Sequence, residues 1–103
     1  MYEAWIRAAD AVGLRDLSEL KLRNATLALL VTSPGCEACA KVETEEWDRL
    51  CRSCERRGAP LVQWKCTGEN ERNAALNAGV DDVPAIVLIT KDSMQVFDAE
   101  SFR

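Results

Sequence analysis

Apolar residues along this chain occur in two patterns, short continuous runs and longer stretches with helical spacing. The continuous runs are bounded by turn residues and predict strands, because a strand covered on both faces is apolar throughout. They lie at Thr26–Thr32, Leu61–Cys66 and Val83–Ile89, and a further strand is expected at Met94–Phe97.

The stretches with helical spacing alternate with these runs. Met1–Val12 predicts a first helix, Cys36 to about Arg57 a long second helix, and Glu69–Ala78 a third. A strand, a helix and a further strand in that order require a crossover and parallel pairing. The expected class is therefore α/β, with a mixed four-stranded sheet flanked by helices.

Length and charge narrow the function. The chain has 103 residues and is expected to form a single domain over residues 1–103. Its net charge is −4 and its basic residues are scattered, which argues against nucleic acid or an anionic membrane as a partner. Met1–Val12 mixes charged with apolar residues, unlike a signal peptide, and no apolar run is long enough to cross a bilayer. We therefore expect a cytoplasmic protein.

The residue types present also limit the chemistry. The sequence contains five cysteines and no histidine. Catalytic Cys–His pairs, Ser–His–Asp triads and zinc sites with histidine ligands are thereby excluded. Chemistry in this chain must depend on thiols and carboxylates.

Two of these thiols stand where a predicted strand meets a predicted helix, in Cys36-Glu37-Ala38-Cys39. Cysteines three residues apart in a first helical turn lie on one face and can form a disulfide. The first thiol also faces the free amides and the positive end of the helix dipole, which favour the thiolate. Cys36 is thus the candidate nucleophile and Cys39 the candidate resolving thiol.

The run from Ser33-Pro34-Gly35 through this pair, together with Val83-Pro84-Ala85 before an apolar strand, resembles the thioredoxin superfamily over nearly the whole chain. The resemblance implies a cis peptide bond before Pro84, packing of Pro84 against the redox cysteines, and hydrogen bonds from the Val83 backbone to an extended substrate. Gly35, Val83 and Pro84 are accordingly the candidate substrate-binding residues. No cofactor is implied.

The sequence also departs from that family's pattern. Gly35 stands where thioredoxins usually have an aromatic residue, and Leu30 where they have a buried acid that aids proton transfer. Pro34-Gly35-Cys36 is closer to glutaredoxins, yet their glycine pair for glutathione is missing from Ile89–Met94. The family's final helix is absent or reduced to Ala99–Arg103.

The missing final helix predicts an uncovered apolar sheet face. Large exposed apolar patches usually mark interfaces, so we expect a homodimer or a dedicated protein partner there.

The other three cysteines allow further interpretations. Cys51-Arg-Ser-Cys54 is a second CxxC motif that suggests zinc binding, but one unbroken helix would hold it roughly 20 Å from the first pair. No glycine or proline lies between Cys39 and Cys51 to break that helix. Cys54 is expected in the core, and Cys51, Cys54 and Cys66 are candidates for a secondary redox role. No metal site is predicted.

Together these observations predict a thiol–disulfide oxidoreductase that exchanges disulfides with a protein substrate and an upstream redox partner. The alternative is a non-catalytic interaction module of the same fold, in which the cysteines only pack.

Overall fold

The computed structural model of the protein describes residues 26–77, 79–90 and 93–103. The helix predicted at Met1–Val12 lies outside these ranges. The described chain contains four strands and three helices, numbered here in chain order. They are β1 (Leu27–Thr32), α1 (Glu37–Glu45), α2 (Trp47–Glu55), β2 (Leu61–Lys65), α3 (Glu69–Asn77), β3 (Ala85–Ile89) and β4 (Met94–Asp98).

The four strands form one mixed sheet in the order β2-β1-β3-β4. Strand β1 pairs in parallel with β2 and antiparallel with β3, and β4 pairs antiparallel with β3. The parallel pair is joined through α1 and α2, as the strand–helix–strand pattern requires. The predicted α/β class and the mixed four-stranded sheet are confirmed.

The alternating side chains of the central strands supply two cores, one on each face of the sheet. Leu27, Leu29 and Val31 of β1 belong to a cluster with Trp64 and α3. The intervening residues of β1 belong to a second cluster, which holds buried residues of α1, α2 and the C-terminal tail. Both central strands are buried on both faces, which explains their uninterrupted apolar sequence.

The prediction of one unbroken helix from Cys36 to Arg57 is wrong, because helix geometry ends at Glu46. That residue has φ −118° and ψ 1°, so it ends α1 and precedes α2. Val42 and Cys54 are both fully buried in the second cluster. On one straight helix they would lie roughly 120° apart around the axis. The break brings both onto the sheet without any glycine or proline.

The segment after β4 covers much of the sheet face that was expected to be exposed. Residues 99–101 form a turn, and residues 102 and 103 belong to no helix or strand. Ala99 is fully buried and Phe102 nearly so, and both belong to the second cluster. The underlying strand residues Leu30 and Ile86 have no exposed surface. The prediction of a bare apolar face is therefore wrong for the described sheet.

Across residues 26–77, 79–90 and 93–103, no helix combines the length and apolar character needed to cross a bilayer.

Candidate active site

The turn after β1 places the first cysteine at the start of a helix. Pro34 and Gly35 form the turn, and Gly35 has φ +75°, in the left-handed region that glycine adopts without steric cost. A Cβ atom at this position would meet no atom within 4 Å, so its backbone conformation rather than space favours glycine. The turn reverses the chain so that α1 packs back on the sheet.

Cys36 is the N-cap residue of α1. Its backbone is extended, with φ −93° and ψ 110°, and its carbonyl accepts the first helical hydrogen bond from the Ala40 amide at 3.1 Å. Its sulfur accepts a hydrogen bond from the Cys39 amide at 3.1 Å. The thiol therefore takes the capping role that serine or aspartate usually has, and an amide donor favours its charged form.

Cys36 and Cys39 form the predicted pair. Their sulfurs lie at disulfide distance and their Cα atoms are 5.2 Å apart. The two cysteines differ in access, since Cys36 is half-buried whereas Cys39 is 1% exposed. A reagent in solution can therefore reach the first sulfur but not the second.

The loop before β3 brings Val83 and Pro84 to the same place. The Val83–Pro84 peptide bond is cis, and the Val83 carbonyl oxygen lies 4.0 Å from the Cys36 sulfur. The two residues are 47 positions apart in sequence. Gly35, Cys36, Cys39, Val83 and Pro84 thus belong to one end of the sheet, where β1 ends and β3 begins.

The remaining cysteines are unpaired and lie elsewhere. Cys54 and Cys66 are buried and Cys51 is half-buried. Burial raises the pKa of the Cys54 thiol to about 11, and burial also raises the pKa of Cys51 and Cys66. Higher pKa values leave less thiolate at neutral pH, which disfavours the secondary redox role considered for these thiols.

Strand β1, which leads to the Cys36–Cys39 pair, contains no acidic residue. Leu30, which takes the position of the family's buried acid, is fully buried in the second cluster. Two residues later, Thr32 is 1% exposed, and its hydroxyl has no hydrogen-bond partner within the described structure. Any proton acceptor for Cys39 must therefore be something other than a carboxylate at position 30.

Within the described ranges, no group of three or more Cys, Asp or Glu side chains is arranged to hold a metal ion. The separation of roughly 20 Å expected between the two CxxC motifs required one unbroken helix. The break at Glu46 lies between the motifs, so that requirement is not met. The two CxxC motifs share one pattern of burial, because the first cysteine of each is half-buried and the second is buried.

Several acidic side chains near the site were not singled out from the sequence. Asp81 and Asp82 directly precede Val83, so their position along the chain was a usable signal. Asp98 and Glu100 could not be found in this way, because only the pairing of Ala85 with Asp98 brings them to the same loop. The Ala99 amide completes the contact by donating to the Pro84 carbonyl at 3.1 Å.

Comparison with known proteins adds a fold likeness. Neither a protein-family model nor a curated protein matches the sequence. One similar solved structure, described only as that of a malarial protein, has a TM-score of 0.53 and 25% sequence identity. The match covers 78% of this chain and 84% of that one. The description of that protein names no activity.

Proposed function

We propose that this protein is a thiol–disulfide oxidoreductase of the thioredoxin-like kind, with Cys36 as nucleophile and Cys39 as resolving thiol. The observation that carries the proposal is the position of Cys36 as an N-cap beside Val83. Its sulfur accepts a hydrogen bond from the Cys39 amide and lies 4.0 Å from the Val83 carbonyl oxygen. A buried structural cysteine needs neither an amide donor nor access from solution.

The reaction in the reducing direction has two exchanges. The Cys36 thiolate attacks one sulfur of the substrate disulfide, which forms a mixed disulfide and releases the first substrate thiolate. The Cys39 thiolate then attacks the Cys36 sulfur, which forms the Cys36–Cys39 disulfide and releases the second substrate thiolate. Two electrons pass from the protein dithiol to the substrate. An external dithiol reductant restores the protein, and the oxidising direction reverses each exchange.

The roles of the neighbouring residues follow from their placement. Val83 has its backbone carbonyl beside the Cys36 sulfur. An extended substrate chain would donate a hydrogen bond to this carbonyl. Gly35 adds no side chain on the approach to Cys36. We therefore assign Gly35, Val83 and Pro84 to substrate positioning.

Two further observations support the thioredoxin-like assignment. The helix that Cys36 caps follows β1, a central strand of the sheet β2-β1-β3-β4, and the cis proline precedes β3. The motifs around Cys36 and Pro84 carry the family resemblance in sequence. We propose the cytoplasm as the location, because Cys51, Cys54 and Cys66 are free thiols, as is usual in a reducing compartment.

The experiment is redox-buffer equilibration, followed by alkylation and peptide mass spectrometry of every cysteine. We expect Cys36 and Cys39 to interconvert between dithiol and disulfide at a potential within the range of roughly −120 to −270 mV found for exchange proteins. Cys51 and Cys54 are an internal control, because they have the same spacing without the N-cap position. They should stay reduced at every potential in this range.

The alternative, a non-catalytic interaction module, has a distinct outcome. In that case Cys36 and Cys39 would stay reduced throughout and Cys36 would resist alkylation. Native mass spectrometry of the same preparation tests the zinc hypothesis, because a zinc module would carry stoichiometric metal.

A further inference from the structure

A groove extends along the loop before β3 and the end of β4. It has a volume of about 590 Å³ and includes Val83 and Pro84 in its lining. Val83 links this groove to Cys36, because its carbonyl oxygen is 4.0 Å from the Cys36 sulfur. A substrate chain that lies in the groove and follows the loop past Val83 would reach Cys36.

The charge of the groove has one sign. Asp81, Asp82, Asp98 and Glu100 line it, and its described lining contains no lysine or arginine. All four residues are exposed. None of them forms an ion pair with another described residue. The ion pairs within the described ranges are Arg49–Glu46 and Lys65–Glu43. The four carboxylates are thus open to a cationic ligand.

The groove also has an apolar part. Val96 is 41% exposed and Phe97 is 37% exposed, and both contribute to the lining. These are two of the three large apolar residues that are exposed in the described structure. Val96 and Asp98 are two residues apart on β4 and therefore share one face of the strand. An apolar side chain beside carboxylates suits a segment that has both apolar and basic residues.

We propose that this groove selects protein disulfides whose cysteine is flanked by basic and apolar residues. The inference rests on the proposed function and specifies its substrate class. A second copy of this chain is a poor occupant, because its net charge is −4 and it would meet like charge. A basic segment gains from all four carboxylates, and attraction to them also speeds its encounter with Cys36.

The test uses short peptides linked as symmetric disulfides through a central cysteine. Leucine flanks the cysteine in every peptide, followed on each side by lysine, glutamine or glutamate. With the prereduced protein at low salt, we expect the lysine peptide to be reduced about tenfold faster than the glutamate peptide. In 0.5 M salt the difference should shrink markedly, because the Debye length falls well below 10 Å.

Charge-neutralising variants locate the effect. Asp81→Asn with Asp82→Asn should lower the lysine-to-glutamate rate ratio at least threefold, and so should Asp98→Asn with Glu100→Gln. Asparagine at position 98 keeps an acceptor oxygen for the Glu100 amide, which the Asp98 carboxylate accepts at 3.3 Å. The matched control, Glu55→Gln with Glu69→Gln, removes the same charge from exposed residues outside the groove and should leave the ratio unchanged.

The outcomes separate the inference from the function. Equal rates for all three peptides, or an equal fall in the control variant, would overturn the basic-substrate proposal while the oxidoreductase stands. Failure to reduce any peptide would overturn the oxidoreductase proposal. Peptides with serine in place of cysteine then test the groove alone, because a basic peptide should still shift NMR resonances of residues 79–85 and 96–100 and an acidic one should not.

Discussion

At the scale of single residues, the two cysteines of the pair have different surroundings and therefore different expected roles. Cys36 is half-buried and holds an amide hydrogen bond, whereas Cys39 is 1% exposed behind it. Access and stabilisation of the thiolate both favour attack by Cys36. Because Cys39 is buried, it cannot attack a disulfide in solution. It can attack the neighbouring Cys36 sulfur once Cys36 has formed the mixed disulfide.

Serine variants test this order of attack. With Cys39→Ser, a disulfide substrate should accumulate as a stable adduct on Cys36, because no second thiol resolves it. With Cys36→Ser, no adduct should form. Intact-mass measurement after mixing with an excess of substrate distinguishes the two. An adduct on Cys39 in the Cys36→Ser variant would contradict the assigned roles.

The buried hydroxyl of Thr32 gives a stability prediction. Because it has no hydrogen-bond partner in the described structure, its burial carries a desolvation cost. Thr32→Val keeps the shape and removes that cost, so the free energy of unfolding should rise by about 1 kcal/mol in urea titrations. Thr44→Val is the control, because the exposed Thr44 hydroxyl donates to the Ala40 carbonyl at 2.8 Å. Lower stability of Thr32→Val would mean that the hydroxyl has a partner in solution.

The buried Cys54 thiol makes stability depend on alkaline pH. Its pKa is about 11 in the folded chain against an ordinary value of 9.0, because burial disfavours the thiolate. A raised folded pKa contributes stability that is full below about pH 9 and is lost as pH rises toward 11. Urea unfolding of the reduced wild type and of Cys54→Ala should therefore converge by about 2 kcal/mol between pH 8 and pH 11.

The control for this pH dependence is Cys51→Ala, because that thiol is only half-buried. Its stability difference from the wild type should change less over the same pH interval. A constant difference between wild type and Cys54→Ala would show that the Cys54 thiol titrates equally in the folded and unfolded chains.

At the scale of elements, α2 holds the C-terminal tail on the sheet. The Arg49 guanidinium donates to the Phe102 carbonyl and, at 3.4 Å, to the Ala99 carbonyl. The Arg57 guanidinium lies 4.6 Å from the centre of the Phe102 ring. These contacts position the tail that carries Glu100, which is part of the groove lining. The helix after the break at Glu46 thus supports one wall of the proposed substrate groove.

Loss of the Arg49 contacts should loosen this tail. Arg49→Met keeps an apolar stem and removes the donors, so the free energy of unfolding should fall by about 2 kcal/mol. The exposed Arg52 on the same helix is the control, and Arg52→Met should change stability by less than about 0.5 kcal/mol. Urea titration measures both. If both variants lowered the free energy of unfolding equally, the contacts of Arg49 with the tail would add no stability beyond the effect of removing a positive charge from the helix.

At the scale of the whole molecule, partner binding stays a prediction, but the surface expected to bind the partner has changed. The face expected to be bare is covered by Ala99 and Phe102. Exposed apolar side chains lie instead at Val96 and Phe97 of the edge strand β4, and at Leu76. A protein partner is therefore expected at the groove that Val83 and Pro84 help to line.

The homodimer predicted from the sequence is tested by light scattering at high micromolar concentration. Because the groove is acidic and the chain carries a net charge of −4, we expect a second copy to be repelled from it. The measured mass should lie near 11.4 kDa. A mass of twice that value would support the homodimer and place its interface outside the groove.

The strands, the class of fold and the pairing of Cys36 with Cys39 could be predicted from the sequence alone. Continuous apolar runs in β1 and β3 mark strands buried on both faces, and Cys36 follows such a strand at a turn that Pro34 and Gly35 favour. These are local features, since a strand end, a turn and a first helical turn lie within about a dozen residues. The juxtaposition of Pro84 with Cys36 was predicted through family resemblance, because local physics does not relate residues so far apart.

The tertiary structure decided the break at Glu46, the covering of the sheet by the tail, and the acidic groove. Each depends on contacts between residues distant in sequence. Val42 and Cys54 both have to reach one cluster, and Arg49 has to meet the carbonyls at the end of the chain. The antiparallel register of β3 and β4 brings Asp98 to the loop of Asp81. Contacts between distant elements and the register of the sheet set these arrangements, and hydrophobic periodicity does not specify which elements contact each other.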